Sequence, residues 1–500
     1  MHFDRYGVNV SGFFTAELGL GEVARNYVLA MRHLGMDLSL QDASFLTNQR
    51  KEEKSLSGFT IENKYPANLM CMNAPEVEQF LERFGLQYMA TKYNIGSWWW
   101  EVEEIPQNWQ KQFVRFDELW VGTEFIAENF RAVSSIPVLR MPPLVVAKPT
   151  LITRVTYDID KSEFVFLFVF DFFSCFQRKN PLAVIEAFKL AFAGDSRVRL
   201  IIKSTNGSSF PEQFTQLHQA CDHGQITLLD SYMSKRELNG LIECCDCYVS
   251  LHRTEGFGLP IAEAMLMKKP VIVTGWSGNL DFTTPDNSLL VQYGFTANTE
   301  DYGPYKIGMR WAEPDVEHAA KLMRVVFEDP AHGKTLGARG AATIAECYGI
   351  DAVADAIGLR LEQINEKVQR VSTLADYKHA LLDLACANDL PSLDKPHVVD
   401  SENGKTSVLA KVIGLIEGVG IKWWHSPILG APLRFTGAIV RRIVILSLSG
   451  ESMKVLRGQL LDQTFEGIAH LMKTDADRIA DLEARLKSLE NNRSHTDGRI

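Results

Sequence analysis

The residues best suited to chemistry lie in the stretch His252-Arg-Thr-Glu-Gly-Phe-Gly-Leu-Pro-Ile-Ala-Glu263. An apolar run, Cys247 to Leu251, precedes it. A helix is expected from Pro260, because proline suits the first helical position. Gly256 and Gly258 let a backbone approach a ligand closely, and the helix start points unpaired N–H groups at whatever lies there. An anionic diphosphate is the natural occupant. Glu255 falls on the loop and Glu263 in the first turns of the helix, so the two carboxylates address different parts of one extended ligand. Ionised carboxylates accept hydrogen bonds well from sugar and ribose hydroxyls.

Such a loop needs a strand to carry it and a sheet to hold that strand. Apolar runs at Phe164 to Phe170, Val198 to Ile202, Ile226 to Leu229, Cys247 to Leu251, Val271 to Val273 and Leu289 to Val291 supply strands. Helical stretches separate them: one opened by Pro181, then Lys235 to Cys244, then Pro260 to Met267. A similar alternation comes earlier. Gly7 to Val10 leads through the loop Ser11 to Gly21 into a helix with apolar residues Val23, Tyr27, Val28, Met31 and Leu34 at helical spacing. Met36 to Leu40, Leu69 to Met72, Tyr93 to Trp100 and Glu118 to Val121 follow as strands, ending near Pro149. Strands alternating with helices predict doubly wound parallel sheets. Two of them in one chain, over residues 1–150 and 151–371, predict a ligand cleft between Rossmann-like domains.

The segment from Glu255 to Glu263, with seven residues between the acids, resembles the signature of the family-4 glycosyltransferases. Ala264-Met265, Pro270-Val271-Ile272-Val273 and Gly278-Asn279 match that pattern as well, and the resemblance runs from about Gly12 to about Arg370. It implies the two-domain GT-B fold, with residues 1–150 on the acceptor side and 151–371 on the donor side. It also implies that Glu255 contacts the donor sugar, Glu263 the ribose, and the backbone of Phe257, Gly258 and Leu259 the sugar and diphosphate. Family members retain anomeric configuration, usually without a metal. Cationic side chains then stabilise the leaving diphosphate, and Arg178, Lys179 and Lys203 are the candidates. The family commonly has an arginine five residues before its phosphate lysine; with Lys179 as that lysine, the position is Ser174 here, and Arg178 is the substitute.

On the amino-terminal side, Glu17-Leu-Gly-Leu-Gly-Glu-Val-Ala-Arg25 resembles the family's glycine loop over the diphosphate, with Gly19 and Gly21 as the positions carried over. Ile95-Gly-Ser-Trp-Trp-Trp-Glu-Val-Glu-Glu-Ile-Pro106 is similar to a segment of bacterial members. Trp98 and Trp100 read as packing residues, and Glu101 and Glu103 as acceptor-side candidates. The resulting expectation is a retaining transferase that moves a hexose, mannose as first choice, from a nucleotide diphosphate sugar to a glycan or lipid-linked acceptor in surface polysaccharide synthesis. The nucleotide sugar is a co-substrate, and neither a cofactor nor a metal is expected. A GT-B phosphorylase or nucleotide-sugar epimerase is the alternative within the fold. A degenerate transferase serving as a membrane-associated scaffold is the alternative outside enzymology.

A formal net charge of -10 disfavours a nucleic-acid partner. The amino terminus lacks a basic segment followed by an apolar one, and no long apolar run occurs, so a cytoplasmic protein is expected. The eight cysteines lack the two C-x-x-C pairs of a tetrahedral zinc site and read as reduced, buried thiols. After the helical stretch Ala352 to Val371, residues 372–406 read as helix and linker, and 407–450 as a basic amphipathic segment suited to an anionic membrane surface. Residues 451–490 carry Phe465, Ile468, Met472, Asp475, Ile479, Leu482, Leu486 and Leu489 at coiled-coil spacing, predicting self-association or a partner helix.

Overall fold

In the computed structural model, residues 7–387 except Thr91 are described, with side chains as far as 368. The linker beyond 387, the basic segment 407–450 and the coiled-coil segment 451–490 lie outside the described residues. Among the described residues, no helix is long and apolar enough to cross a membrane.

The amino-terminal half is a six-stranded sheet of β1 (Gly7–Gly12), β2 (Asp37–Asp42), β3 (Ala67–Cys71), β4 (Tyr93–Ser97), β5 (Glu118–Val121) and β6 (Val138–Arg140). The strand order is β2-β1-β3-β4-β5-β6 and all pairings are parallel. Its helices are α1 (Gly19–His33), α2 (Ala74–Phe84), the single turn α3 (Gln107–Gln110) and α4 (Glu124–Arg131). Every residue of β3 and β5 is buried, Asn68 and Glu118 included, so these strands show no alternation of inward and outward positions.

The second half has β7 (Phe164–Asp171), the short α5 (Phe176–Lys179), α6 (Pro181–Phe192), β8 (Val198–Thr205), α7 (Pro211–Ala220), β9 (Ile226–Asp230), α8 (Lys235–Cys244), β10 (Cys247–Ser250), α9 (Leu259–Leu266), β11 (Val271–Thr274) and β12 (Leu289–Val291). These strands form a second parallel sheet in the order β12-β11-β10-β7-β8-β9. Phe166, Phe188 and Phe192 interlock beneath it, with ring centroids 5.5–6.2 Å apart. Local chemistry sets the helix starts: Pro181 opens α6, and Ser234 with Glu237 forms a reciprocal capping box on α8. An antiparallel hairpin, β13 (Tyr293–Ala297) and β14 (Arg310–Pro314), follows, then α10 (Val316–Glu328), α11 (Pro330–Tyr348) and α12 (Ile350–Ala387).

Three expectations change. The strand read as Tyr93 to Trp100 ends at Ser97. The Trp98 amide still donates to the Trp120 carbonyl, but the Trp99 amide turns to the Asn73 side chain, which draws the chain out of the sheet. The helix read as Ala352 to Val371 runs from Ile350 to Ala387, while the compact unit ends at Glu366. Finally, the first part of α12 packs on the amino-terminal sheet: the Arg360 guanidinium pairs with Glu118 of β5, and His33 of α1 lies 3.0 Å from Asp351. Of the thiols, Cys71, Cys221, Cys244, Cys245 and Cys247 are buried, Cys175 is half-buried and Cys347 is exposed; all seven are free.

Candidate active site

Both sheets direct the loops after their strands' carboxyl ends toward a common region, as open parallel sheets do at ligand sites. Thr123, which follows β5, illustrates the closeness. Its hydroxyl caps α4 by accepting from the Ile126 amide and donates to the Gly256 carbonyl 2.9 Å away in the other half. The Thr254 hydroxyl donates to the Glu101 carbonyl, and Asp281 accepts from the Glu124 amide and pairs with Arg140 at 2.8 Å.

Glu255 lies at the centre and is only 7% exposed. One carboxylate oxygen pairs with the Lys179 ammonium; the other lies 3.1 Å from Nη1 of Arg178. Its amide donates to the Ser277 hydroxyl at 2.8 Å, and its carbonyl accepts from the Gly278 amide at 2.9 Å. Burial raises the carboxyl pKa, but Lys179 and Arg178 outweigh it and hold it at about 2, so the group stays ionised. Burial lowers the Lys179 pKa below the ordinary lysine value, and Glu255 offsets only part of that. For Arg178 the burial cost is outweighed by Tyr305, Glu255 and Glu101, which leave its pKa raised.

Arg178 is locked in place. Its Nε donates to the Ser174 carbonyl and its Nη1 to the Thr254 carbonyl, both at 3.0 Å, and Nη2 lies 3.8 Å from Glu101. Ser174, where the resemblance leads one to expect an arginine, thus contributes a backbone acceptor. Above the guanidinium lies the ring of Tyr305, 5.9 Å away, whose hydroxyl donates to Glu101 at 2.8 Å.

Gly258, with φ +92, caps α9 in the left-handed region, so its glycine has a conformational reason. Leu259 begins that helix. The Phe257 ring packs against Phe282 and Tyr348, with centroids 4.8 and 5.1 Å away. Glu263, 3% exposed, pairs with Lys235 at the first turn of α8. Lys235 also lies 3.2 Å from Glu22, which pairs with Arg25 at 3.0 Å. Burial raises the Glu263 pKa, and Lys235 counteracts this.

His252 is fully buried between Ser250 and Asn279, each 3.0 Å away. The Asn279 amide nitrogen donates to the Thr274 carbonyl, so its oxygen faces the imidazole and must receive Nε2–H. Nδ1 then accepts from Ser250. The ring is neutral, and burial pushes its pKa down to about 4.

The remaining candidates separate. Lys203 is held by other groups than Glu255: its ammonium is capped by the Ser204 and Ser231 carbonyls at 2.7 and 2.5 Å, and burial lowers its pKa to about 8. Glu103 forms a surface pair with Arg310 at 2.8 Å. Gly21 is crowded, since a Cβ there would meet the Phe13 carbonyl at 2.5 Å and the Ala16 carbonyl at 2.7 Å, whereas one at Gly19 would meet nothing within 4 Å. Trp98 and Trp100 are core, as read. Sequence reasoning missed Lys235, Glu22, Ser277, Thr254 and Tyr305. The capping box just before Lys235 marked a helix start, but nothing in the spacing joined it to Glu263.

Residues 163–300 match the family model for glycosyl transferases group 1. Over 130 residues the chain is 27% identical to the mouse alpha-1,3/1,6-mannosyltransferase ALG2, a match spanning 26% of each protein. Among solved structures, HepE of Anabaena, determined with UDP and glucose, superposes with a TM-score of 0.52 at 12% identity, covering 72% of this chain and 100% of that one. Sucrose-phosphate synthase from Thermosynechococcus elongatus gives 0.52 at 14% identity over 72% and 100%. A glycosyltransferase from Rickettsia africae gives 0.53 at 13% identity over 73% and 99%. The fold is therefore GT-B, two Rossmann-like domains, as the sequence predicts. The stretch bearing Glu255 and Glu263 is the part that matches the group 1 transferase model.

Proposed function

We propose that the protein is a retaining glycosyltransferase that moves a hexose from a nucleotide diphosphate sugar to a glycan or lipid-linked acceptor in surface polysaccharide synthesis. The observation that carries this reading is Glu255, held ionised between Arg178 and Lys179 on a glycine loop that opens a helix. A carboxylate so placed accepts hydrogen bonds from the donor sugar's hydroxyls. The two cations stand ready for the diphosphate as the bond to the anomeric carbon breaks and its electron pair passes to the leaving oxygen. Attack by the acceptor hydroxyl on the same face lets that oxygen take the hydroxyl proton, so no separate base is required. Glu263 receives the ribose. Mannose is the preferred hexose because the partial likeness is to a mannosyltransferase.

Thermal unfolding with a panel of UDP-, GDP- and ADP-hexoses tests the reading. A ligand at about a hundred times its Kd adds roughly 2.7 kcal/mol of stability. Protection by none of them removes it, and product configuration by NMR tests retention. Because Arg178 and Lys179 supply the positive charge, transfer is expected to persist in chelator; loss restored by magnesium would overturn that part. The extension is proposed, from its sequence, to hold the enzyme at the cytoplasmic membrane face and to join chains. Release of a chain lacking 405–500 from anionic vesicles, with reduced oligomeric mass, is the expected outcome.

A further inference from the structure

A cluster of aromatic rings stands beside the Glu255 loop without any role in holding it. Trp276, just after β11, meets Phe125 of α4 at 5.4 Å, Tyr293 at 5.7 Å and Phe295 at 4.8 Å between ring centroids. Tyr293 and Phe295 belong to the hairpin, and although apolar they are 36% and 46% exposed. Arg310 of the facing strand lies 4.2 Å above the Phe295 ring and pairs with Glu103 across the two halves. The Trp276 indole N–H and the Tyr293 hydroxyl have no hydrogen-bond partner in the protein among the described residues.

Each segment that contributes to this surface also touches the Glu255 site. Phe125 comes two residues after Thr123, which donates to the Gly256 carbonyl. Trp276 immediately precedes Ser277, which accepts from the Glu255 amide. Glu103 comes two residues after Glu101, which lies beside Arg178, and Arg310 shares the hairpin with Tyr305, which donates to Glu101. The rings and the ion pair are thus joined through Phe295 and are carried by the same segments that build the Glu255 site.

We propose that this surface is a saccharide subsite that holds the acceptor chain, a proposal that rests on the transferase reading. A pyranose has C–H faces that pack on aromatic rings and hydroxyl edges that need donors and acceptors. Here partly exposed rings adjoin a carboxylate, a guanidinium, an indole N–H and a phenol, which is that combination. A purely apolar partner would leave Glu103 and Arg310 without solvent or hydroxyl contacts at additional cost.

Saturation-transfer NMR on the full chain, with mannotetraose, maltotetraose and chitotetraose as probes, tests this. At least one tetrasaccharide should bind with transfer from aromatic protons. The double variant Tyr293→Ala, Phe295→Ala should bind it about tenfold more weakly, as expected when a ring contact is lost, while thermal protection by UDP or GDP stays unchanged. Wild-type protein that is protected by a nucleotide but binds none of the tetrasaccharides overturns the subsite and leaves the transferase reading standing. Equal binding by the double variant overturns it too. So does a self-associating wild type that the variant converts to monomer without altering saccharide binding. Protection by neither nucleotide, with tetrasaccharide binding intact and lost in the variant, supports the subsite and removes the nucleotide-donor reading.

Discussion

Lys235 bridges Glu263 and Glu22, and so ties the acid expected to hold the ribose to the glycine loop of the opposite half. Burial opposes the ammonium, yet the two carboxylates outweigh it and raise its pKa above the ordinary lysine value. Lys235→Met would leave Glu263 buried with nothing to offset the burial that raises its pKa. The expected outcome is a donor KM raised about tenfold with kcat little changed, the pattern of lost ground-state binding. Donor titrations of the variant check this. An unchanged KM would remove the Lys235–Glu263 pair from the donor site.

Glu255→Ala is expected to cost about two or more decades in kcat. It also leaves Arg178 and Lys179 as buried cations without their shared acid, a loss of roughly 3–5 kcal/mol in stability. The double variant Glu255→Ala, Lys179→Met tests the stability part: denaturant unfolding should show part of the loss restored once the unpaired cation is gone. Activity stays lost because both proposed catalytic groups are absent, and activity recovered along with stability would remove both from the chemistry.

The two glycines of the amino-terminal loop should behave differently. Gly21→Ala drives a Cβ against the Phe13 and Ala16 carbonyls and should lose about 1–3 kcal/mol. Gly19→Ala meets open space in the first turn of α1 and should be neutral or gain about 0.4–1 kcal/mol through the unfolded chain. Melting curves of the two variants check the contrast, and equal losses would contradict it.

His252 predicts an acid-sensitive fold. Its folded pKa of about 4 lies below the value of 6.5 expected when unfolded, so between the two the unfolded chain binds more protons. Its contribution is fully present above about pH 6.5 and is lost as the pH falls toward about 4. Roughly 2 kcal/mol should disappear between about pH 7.5 and about pH 5. Urea unfolding across that range in wild type and His252→Gln measures it. A slope that stays the same in the variant would assign the sensitivity to other groups.

Much of this architecture was legible because buried parallel strands are written as mainly apolar runs: Leu289–Val291 matches its strand residue for residue, and so does Glu118–Val121 despite its leading acid. The hairpin was not, since Tyr293–Ala297 follows Val291 after a single residue and its alternation of Tyr293, Phe295 and Ala297 with Gly294 and Thr296 is short and largely exposed. Glu255, Arg178 and Lys179 were singled out and the fold brings them together, whereas Lys203 was singled out and is held by backbone carbonyls elsewhere. Spacing along the chain places a residue at a strand end; it says nothing about which neighbour the side chain turns to. Tyr305 and Lys235 reach their partners across about two hundred and about thirty residues respectively, beyond any local pattern.

The return of α12 to the first sheet determines how the protein can be divided. Glu118 is fully buried and receives hydrogen bonds from Tyr93 and Trp120 at 2.8 Å, with Arg360 as its cation. The amino-terminal half is thus assembled from two separate pieces of chain, so no single cut yields both halves intact. A fragment ending before residue 350 would bury an acid stripped of its counter-charge, and a chimera that exchanges the first half for another must carry residues 350–366 with it.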